Sequence, residues 1–220
     1  MLNFQYILNR MADPILRASL TDREVDREIR GAGDLCRDWL FENILKSDFK
    51  NRPLRVFQVG AIESLETKFR IGSGWSELFW GEHIKEHGGE LHVCDINLNH
   101  IAHSHFAASN LGYHVNLHVS DASERLKIMF PEDDKSVAQL PFDLYYLDGA
   151  DEPHGNQQTL DQFNLVESHN ALYLVDDVPT KGQMLLKYLE LKYGEISDIV
   201  THYNCGNGMM LIDLREVTNG

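Results

Sequence analysis

Leu54-Arg55-Val56-Phe57-Gln58-Val59-Gly60 decides the fold class. Its branched and aromatic residues follow Asn51-Arg52-Pro53, where proline ends any preceding helix and restricts the residue before it. The run therefore reads as a buried strand opening an α/β body at Leu54. Gly60 closes it, and without a side chain a glycine lets another backbone or a ligand come close.

Downstream, β-rich and helical runs alternate, the pattern of βαβ units around a parallel sheet. Strands are predicted at Glu90–Asp95, His114–Val119, Phe142–Leu147 and Ala171–Val175. Helices are predicted at Trp75–Glu86, Leu98–Asn110, Ser123–Met129, Gln157–Glu167 and Lys181–Lys192. Two last strands, Ile196–His202 and Met209–Leu214, flank the turn-rich Tyr203-Asn204-Cys205-Gly206-Asn207-Gly208, which makes them an antiparallel hairpin. Upstream, Leu2 to Phe49 shows helical spacing interrupted at Asp13-Pro14 and Gly31-Ala32-Gly33, and Thr21 with Glu24 has capping-box spacing. Residues 1–50 are thus expected to form a helical cap on the sheet, with a homodimer face as the other use of such helices, and residues 51–220 the main domain.

Composition narrows the partners. A chain of 220 residues suits one domain, and a formal charge of −14 without a basic run repels nucleic acid and anionic lipid. No segment reaches the roughly 20 apolar residues a membrane span needs, and no basic-then-apolar leader follows Met1. Cys36, Cys94 and Cys205 are odd in number and scattered, which points to a reducing compartment and a cytoplasmic location.

In open α/β sheets ligands bind beyond the carboxyl ends of the strands, so the first polar residues after each apolar run carry the functional signal. After strand one come Gly60 and, at the next helix start, Gly72-Ser73-Gly74-Trp75-Ser76. Strand two ends in Asp95, a carboxylate placed to take two hydrogen bonds from a ribose diol. Strand three ends in Ser120-Asp121-Ala122, strand four in Asp148-Gly149-Ala150-Asp151, and strand five in Asp176-Asp177.

From Leu54 to Leu214 these residues resemble the class I S-adenosylmethionine-dependent methyltransferases. The resemblance implies a Rossmann-like, mostly parallel seven-stranded sheet ending in an antiparallel hairpin. It also implies a cofactor site at Gly60, Gly72, Gly74, Ser76, Asp95, Asp121 and Ala122, with the adenine edge held by Asp121 and the Ala122 amide. The compact glycine motif of that family appears here as Gln58-Val59-Gly60, then an insertion, Ala61 to Ile71, then Gly72-Ser73-Gly74. Tyr146-Leu147-Asp148-Gly149 and Leu174-Val175-Asp176-Asp177 look like the metal-dependent O-methyltransferases of the catechol and macrolide-sugar type. That likeness implies a divalent cation, magnesium foremost, on Asp148, Asp176 and Asp177, and a small-molecule hydroxyl as acceptor. Converging carboxylates do repel unless a cation neutralises them, and all-oxygen donors favour Mg, Ca or Mn. The rival reading of the acidic pair is that one Asp caps the next helix, where Pro179 fits a first turn.

Where catechol-type relatives carry a lysine, three residues after the strand-four acid, this chain has Asp151. His154 is therefore the first candidate base, since imidazole titrates near neutral pH, and Asp151 the second. His100, His103 and His105 read as a helix surface, Trp75, Phe79 and Trp80 as core, Cys94 as a buried small hydrophobe and Cys205 as an exposed turn residue. Tyr145 and Tyr146 must face opposite sides of the sheet. A nicotinamide-dependent oxidoreductase would also want Gly60 and Asp95, but the tight G-x-G-x-x-G is missing; a non-catalytic protein of the same fold is the third class.

Overall fold

A computed structural model describes residues 33–63, 75–131, 140–149, 154–205, 207–215 and 217. Fourteen elements follow in chain order: α1 (Gly33–Ser47), β1 (Leu54–Val59), α2 (Glu77–His87), β2 (Gly89–Asp95), α3 (Leu98–Leu111), β3 (Asn116–Val119), α4 (Ala122–Met129), β4 (Leu144–Leu147), α5 (Gly155–Val166), β5 (Leu172–Val175), α6 (Val178–Lys181), α7 (Gln183–Tyr193), β6 (Val200–Tyr203) and β7 (Met209–Asp213). The seven strands form one sheet in the order β3-β2-β1-β4-β5-β7-β6. β1 to β5 pair in parallel, while β7 runs antiparallel to both β5 and β6, as the hairpin expectation required. The chain reverses its direction of travel across the sheet between β1 and β4, and this switch point is where an open α/β sheet leaves a crevice.

Strand alternation builds two cores. Val56, Val93, Leu144, Tyr146 and Leu174 join one with α1, α2 and α3; Phe57, Cys94, Tyr145, Tyr173 and Val175 join the other with α4, α5 and α7. Tyr145 and Tyr146 therefore lie on opposite faces, both buried. Helix α1 is seated firmly, because Leu40, Phe41, Ile44 and Leu45 are buried and Phe41 packs on Phe79, Trp80 and Tyr146 at ring-centroid distances of 5.3, 5.2 and 5.9 Å. The Thr21–Glu24 capping box, most of the Ala61–Ile71 insertion, Gly72, Gly74 and Asp151 lie outside the described residues.

Three of the expected elements differ for identifiable reasons. β3 and β4 begin two residues later than expected, at Asn116 and Leu144, where pairing with His92 and Val56 starts. The helix expected over Lys181–Lys192 is two helices: α6, opened by Pro179 in its first turn, and α7, with Gly182 between them. Cys205 also differs from expectation: it is fully buried and disulfide-bonded, a state that an odd cysteine count does not suggest. Among the described residues no helix is long and apolar enough to cross a membrane.

Candidate functional site

The carboxyl ends of β1, β2 and β3 carry the first group of candidate residues. Gly60 leaves β1 with φ of +89°, and a Cβ there would lie 2.5 Å from the Asp148 carbonyl oxygen. Only glycine allows this close crossing at the switch point between β1 and β4. Buried Gln58 braces the turn, its Nε2 donating to the Gly60 carbonyl at 2.8 Å, while Ser76 donates its hydroxyl to Gln58 Oε1 at 3.0 Å. Ser76, expected to face a cofactor, is thus a buried part of this brace.

Asp95 ends β2 and organises the neighbouring loops. Its Oδ1 accepts from the Asn97 N–H at 2.7 Å, and its Oδ2 from the Ala61 N–H at 3.0 Å and from His100 Nδ1 at 3.1 Å. A carboxylate offers about four acceptor positions, so among the described residues one of them, rather than two, is left open to a ribose diol. The His100 ring, expected on a plain helix surface, is the neighbour that occupies the second. Next to Asp95 stand three exposed apolar side chains, Ile96, Leu98 and, across the β2–β3 register, Val119. An acid with a free acceptor position beside uncovered apolar surface fits a nucleoside, sugar on the acid and base on the apolar side chains.

Asp121 and Ala122 sit where β3 hands over to α4. The Asp121 carboxylate caps that helix by accepting from the Glu124 N–H at 3.1 Å. Ala122 is the first helical residue, and an N–H in this position has no acceptor within its own helix. Both features leave the pair suited to the polar edge of a bound base.

The second group lies at the ends of β4 and β5. Asp148, Asp176 and Asp177 converge, as the resemblance implied, but cationic side chains already answer them. Lys181 Nζ stands 2.7 Å from Asp148 Oδ1 and 3.4 Å from Asp177 Oδ2. Arg37, from α1, stands 2.7 Å from Asp176 Oδ1 and 3.6 Å from Asp177 Oδ1. Tyr146 adds a hydroxyl donated to Asp176 Oδ2 at 2.9 Å, and the Asp177 N–H donates to Asp176 Oδ1 at 2.8 Å. Lys181 and Asp176 are 5% and 1% exposed, so this is a buried ion-pair network rather than a solvated surface. Burial foremost, then the Asp176 charge, pushes the Asp148 carboxyl up to about 7 against Lys181 and Arg37. Burial also raises Asp176, with Arg37 opposing. Burial works against the Arg37 charge, yet Asp176 and its neighbours outweigh it and the guanidinium is held charged.

Asp177 itself is bent into place, with φ of 51° and ψ of 50°, a left-handed conformation that costs a non-glycine residue about 1–2 kcal/mol. It occupies the N-cap position of α6, but its side chain makes no cap hydrogen bond there. The capping explanation for the acidic pair therefore fails for Asp177, whose carboxylate faces Arg37 and Lys181 instead. Three carboxylates are the right chemistry for a hard divalent ion. Their arrangement does not fit one, because Asp148 Oδ1 is bonded to Lys181 and the two Asp176 oxygens to Arg37 and Tyr146. Among the described residues no group of three or more His, Cys, Asp or Glu side chains is placed to hold a metal ion.

Of the candidate bases, His154 is exposed at the N-cap position of α5, with no cap hydrogen bond from its side chain. Sequence reasoning missed Arg37 and Lys181. For Lys181 a signal existed, since it stands four residues after Asp177 and begins no apolar stripe; for Arg37, 139 residues from its partner Asp176, there was none.

No protein-family model matches this chain, and no curated protein matches it. Among solved structures, a methyltransferase from Geobacter sulfurreducens superposes with a TM-score of 0.56 at 18% identity, covering 92% of this chain and 88% of that one. The S-adenosylhomocysteine-bound methyltransferase PaMTH1 of Podospora anserina gives 0.50 at 20% identity over 80% and 76%. A protein from Corynebacterium glutamicum gives 0.55 at 11% identity over 92% of each chain. At these identities the shared property is the fold, and together with the strand order it makes this chain a class I methyltransferase-fold protein.

Proposed function

We propose that this protein is an S-adenosylmethionine-dependent methyltransferase that methylates a hydroxyl of a small molecule. The observation that carries the reading is Asp95, with a free acceptor position at the end of β2, beside glycine-only backbone at the switch point and uncovered Ile96, Leu98 and Val119. Asp95 would hold the ribose, and Asp121 with the Ala122 N–H the adenine edge. When bound, the cofactor supplies a methyl group on a sulfonium, which is transferred by in-line displacement. The protein's part is then to fix the acceptor oxygen in line and to take its proton. His154 is the candidate for the proton, being an exposed imidazole on the segment that follows β4. A net charge of −14 disfavours a polyanionic acceptor, which leaves small neutral or cationic molecules as the substrate class.

Calorimetric titration with S-adenosylhomocysteine and, in parallel, with NAD tests the cofactor assignment, since a nicotinamide cofactor would place similar demands on Gly60 and Asp95. Binding of the former and not the latter, lost in Asp95→Ala, is the expected result. A folded wild-type protein that ignores S-adenosylhomocysteine refutes the proposal. Radiolabelled methyl transfer to a panel of hydroxylated small molecules then tests the acceptor class, and abolition in His154→Ala with retained cofactor binding tests the base.

A further inference from the structure

The acid cluster at the ends of β4 and β5 has the composition of a divalent-cation site and the occupancy of something else. Three carboxylates, Asp148, Asp176 and Asp177, are faced by two fixed cations, Arg37 and Lys181, and by one hydroxyl donor, Tyr146. The contacts are mutual: each cation touches two of the acids, and Asp177 is shared by both. A divalent ion placed among these oxygens would add two positive charges beside a buried ammonium and a guanidinium that is 12% exposed. Like charges at contact distance in a partly dry site repel strongly, so either the ion or the side chains must leave.

We propose that Arg37 and Lys181 take the place of a divalent metal in this protein, so that side-chain cations rather than a metal balance the cluster and organise the acceptor end of the site. Three features agree with this. Arg37 comes from α1, which is held down by Phe41, Leu40 and Ile44 and is not free to swing away. Lys181 is held at its position by the short helix α6, which starts at the strained Asp177 and packs Val178 into the core. Tyr146 occupies the remaining Asp176 oxygen from inside the sheet. The proposal deepens the methyltransferase reading and rests on it for the role of the cluster, but its test does not.

Manganese binding, followed by the loss of the free-ion electron paramagnetic resonance signal, tests it directly, alongside thermal melts in millimolar MgCl2 and in chelator. Wild-type protein is expected to leave the manganese signal unchanged and to melt at the same temperature in both solutions. Lys181→Met and Arg37→Met, each removing one cation, should acquire manganese binding and a melting temperature that magnesium raises. Wild-type binding of manganese that disappears in Asp148→Asn and Asp176→Asn would overturn the proposal, since the side chains would then yield to the ion. Failure of both Met variants to acquire binding would overturn it as well, because the cluster would not be a cation site of either kind. Where a Met variant fails to fold, Lys181→Gln, which keeps a hydrogen-bond donor to Asp148, serves in its place. S-adenosylhomocysteine titration of the same wild-type sample separates the two readings: loss of cofactor binding refutes the methyltransferase assignment and leaves the manganese result to stand alone.

Discussion

Glu77, the first residue of α2, has 0% of its surface exposed and accepts a hydrogen bond from the Tyr113 hydroxyl at 2.9 Å. Burial raises its carboxyl from 4.5 to about 7, with the neighbouring Ser104 and Tyr113 hydroxyls only partly opposing the shift. The folded protein thus holds this proton to higher pH than the unfolded chain does. The stability from Glu77 is complete below the unfolded value and is lost as pH rises through the folded one. A shift of this size, taken at 1.36 kcal/mol per unit, corresponds to roughly 3 kcal/mol lost between acid and mildly alkaline pH. His83, His92, His118 and His169 have lowered values because of burial and act with the opposite sign, so wild-type stability alone cannot isolate the effect. Glu77→Gln can, since the amide matches the protonated acid in shape and does not titrate. Urea unfolding of both proteins from pH 4 to pH 8 should give a difference that is flat in acid and moves in favour of the Gln variant by about that amount on the way to pH 8. A difference independent of pH would show that Glu77 is ionised and solvated in the folded state, and would refute the reasoning.

Other expectations follow from single contacts. Asp95→Ala should weaken S-adenosylhomocysteine binding by about 1–3 kcal/mol in calorimetry, the usual loss for hydrogen bonds to a charged group. Asp121→Ala should cost about 1 kcal/mol of unfolding free energy through the lost α4 cap, and cofactor affinity less than Asp95→Ala does, because the Ala122 N–H remains. Gly60→Ala must place a Cβ 2.5 Å from the Asp148 carbonyl oxygen at φ of +89°, so a melting temperature unchanged from wild type would contradict the described crossing. Phe41→Ala should lose about 3–5 kcal/mol in denaturant unfolding, the scale for emptying a buried aromatic site.

The sheet was legible from the chain because each strand is a short apolar run ended by a polar or glycine residue, and because Tyr203 to Gly208 can only be a tight connection. Gly60, Asp95, Asp121 and Asp148 could be placed for the same reason: a residue that ends a parallel strand has a fixed location relative to the crevice. What could not be read is who answers a charge. The Asp148, Asp176 and Asp177 cluster was visible as three acids at neighbouring strand ends, whereas the partner of Asp176 comes from a helix before the body begins. Nor could local pattern show that Ser76 turns toward Gln58 or that His100 leans on Asp95, since both depend on side-chain directions that only the packed loops set.

Tyr146 belongs to two places at once, its ring packed by Phe41 and Trp80 and its hydroxyl bonded to Asp176. Phe41 in turn rides on the helix that carries Arg37. Side chains that position the acid cluster are therefore the same ones that close the core, and the cluster has no hinge of its own. A protein built this way is expected to open the cluster only together with the body. Its ion pairs should come apart in the same cooperative step as the sheet, so heat inactivation and loss of structure should trace one curve.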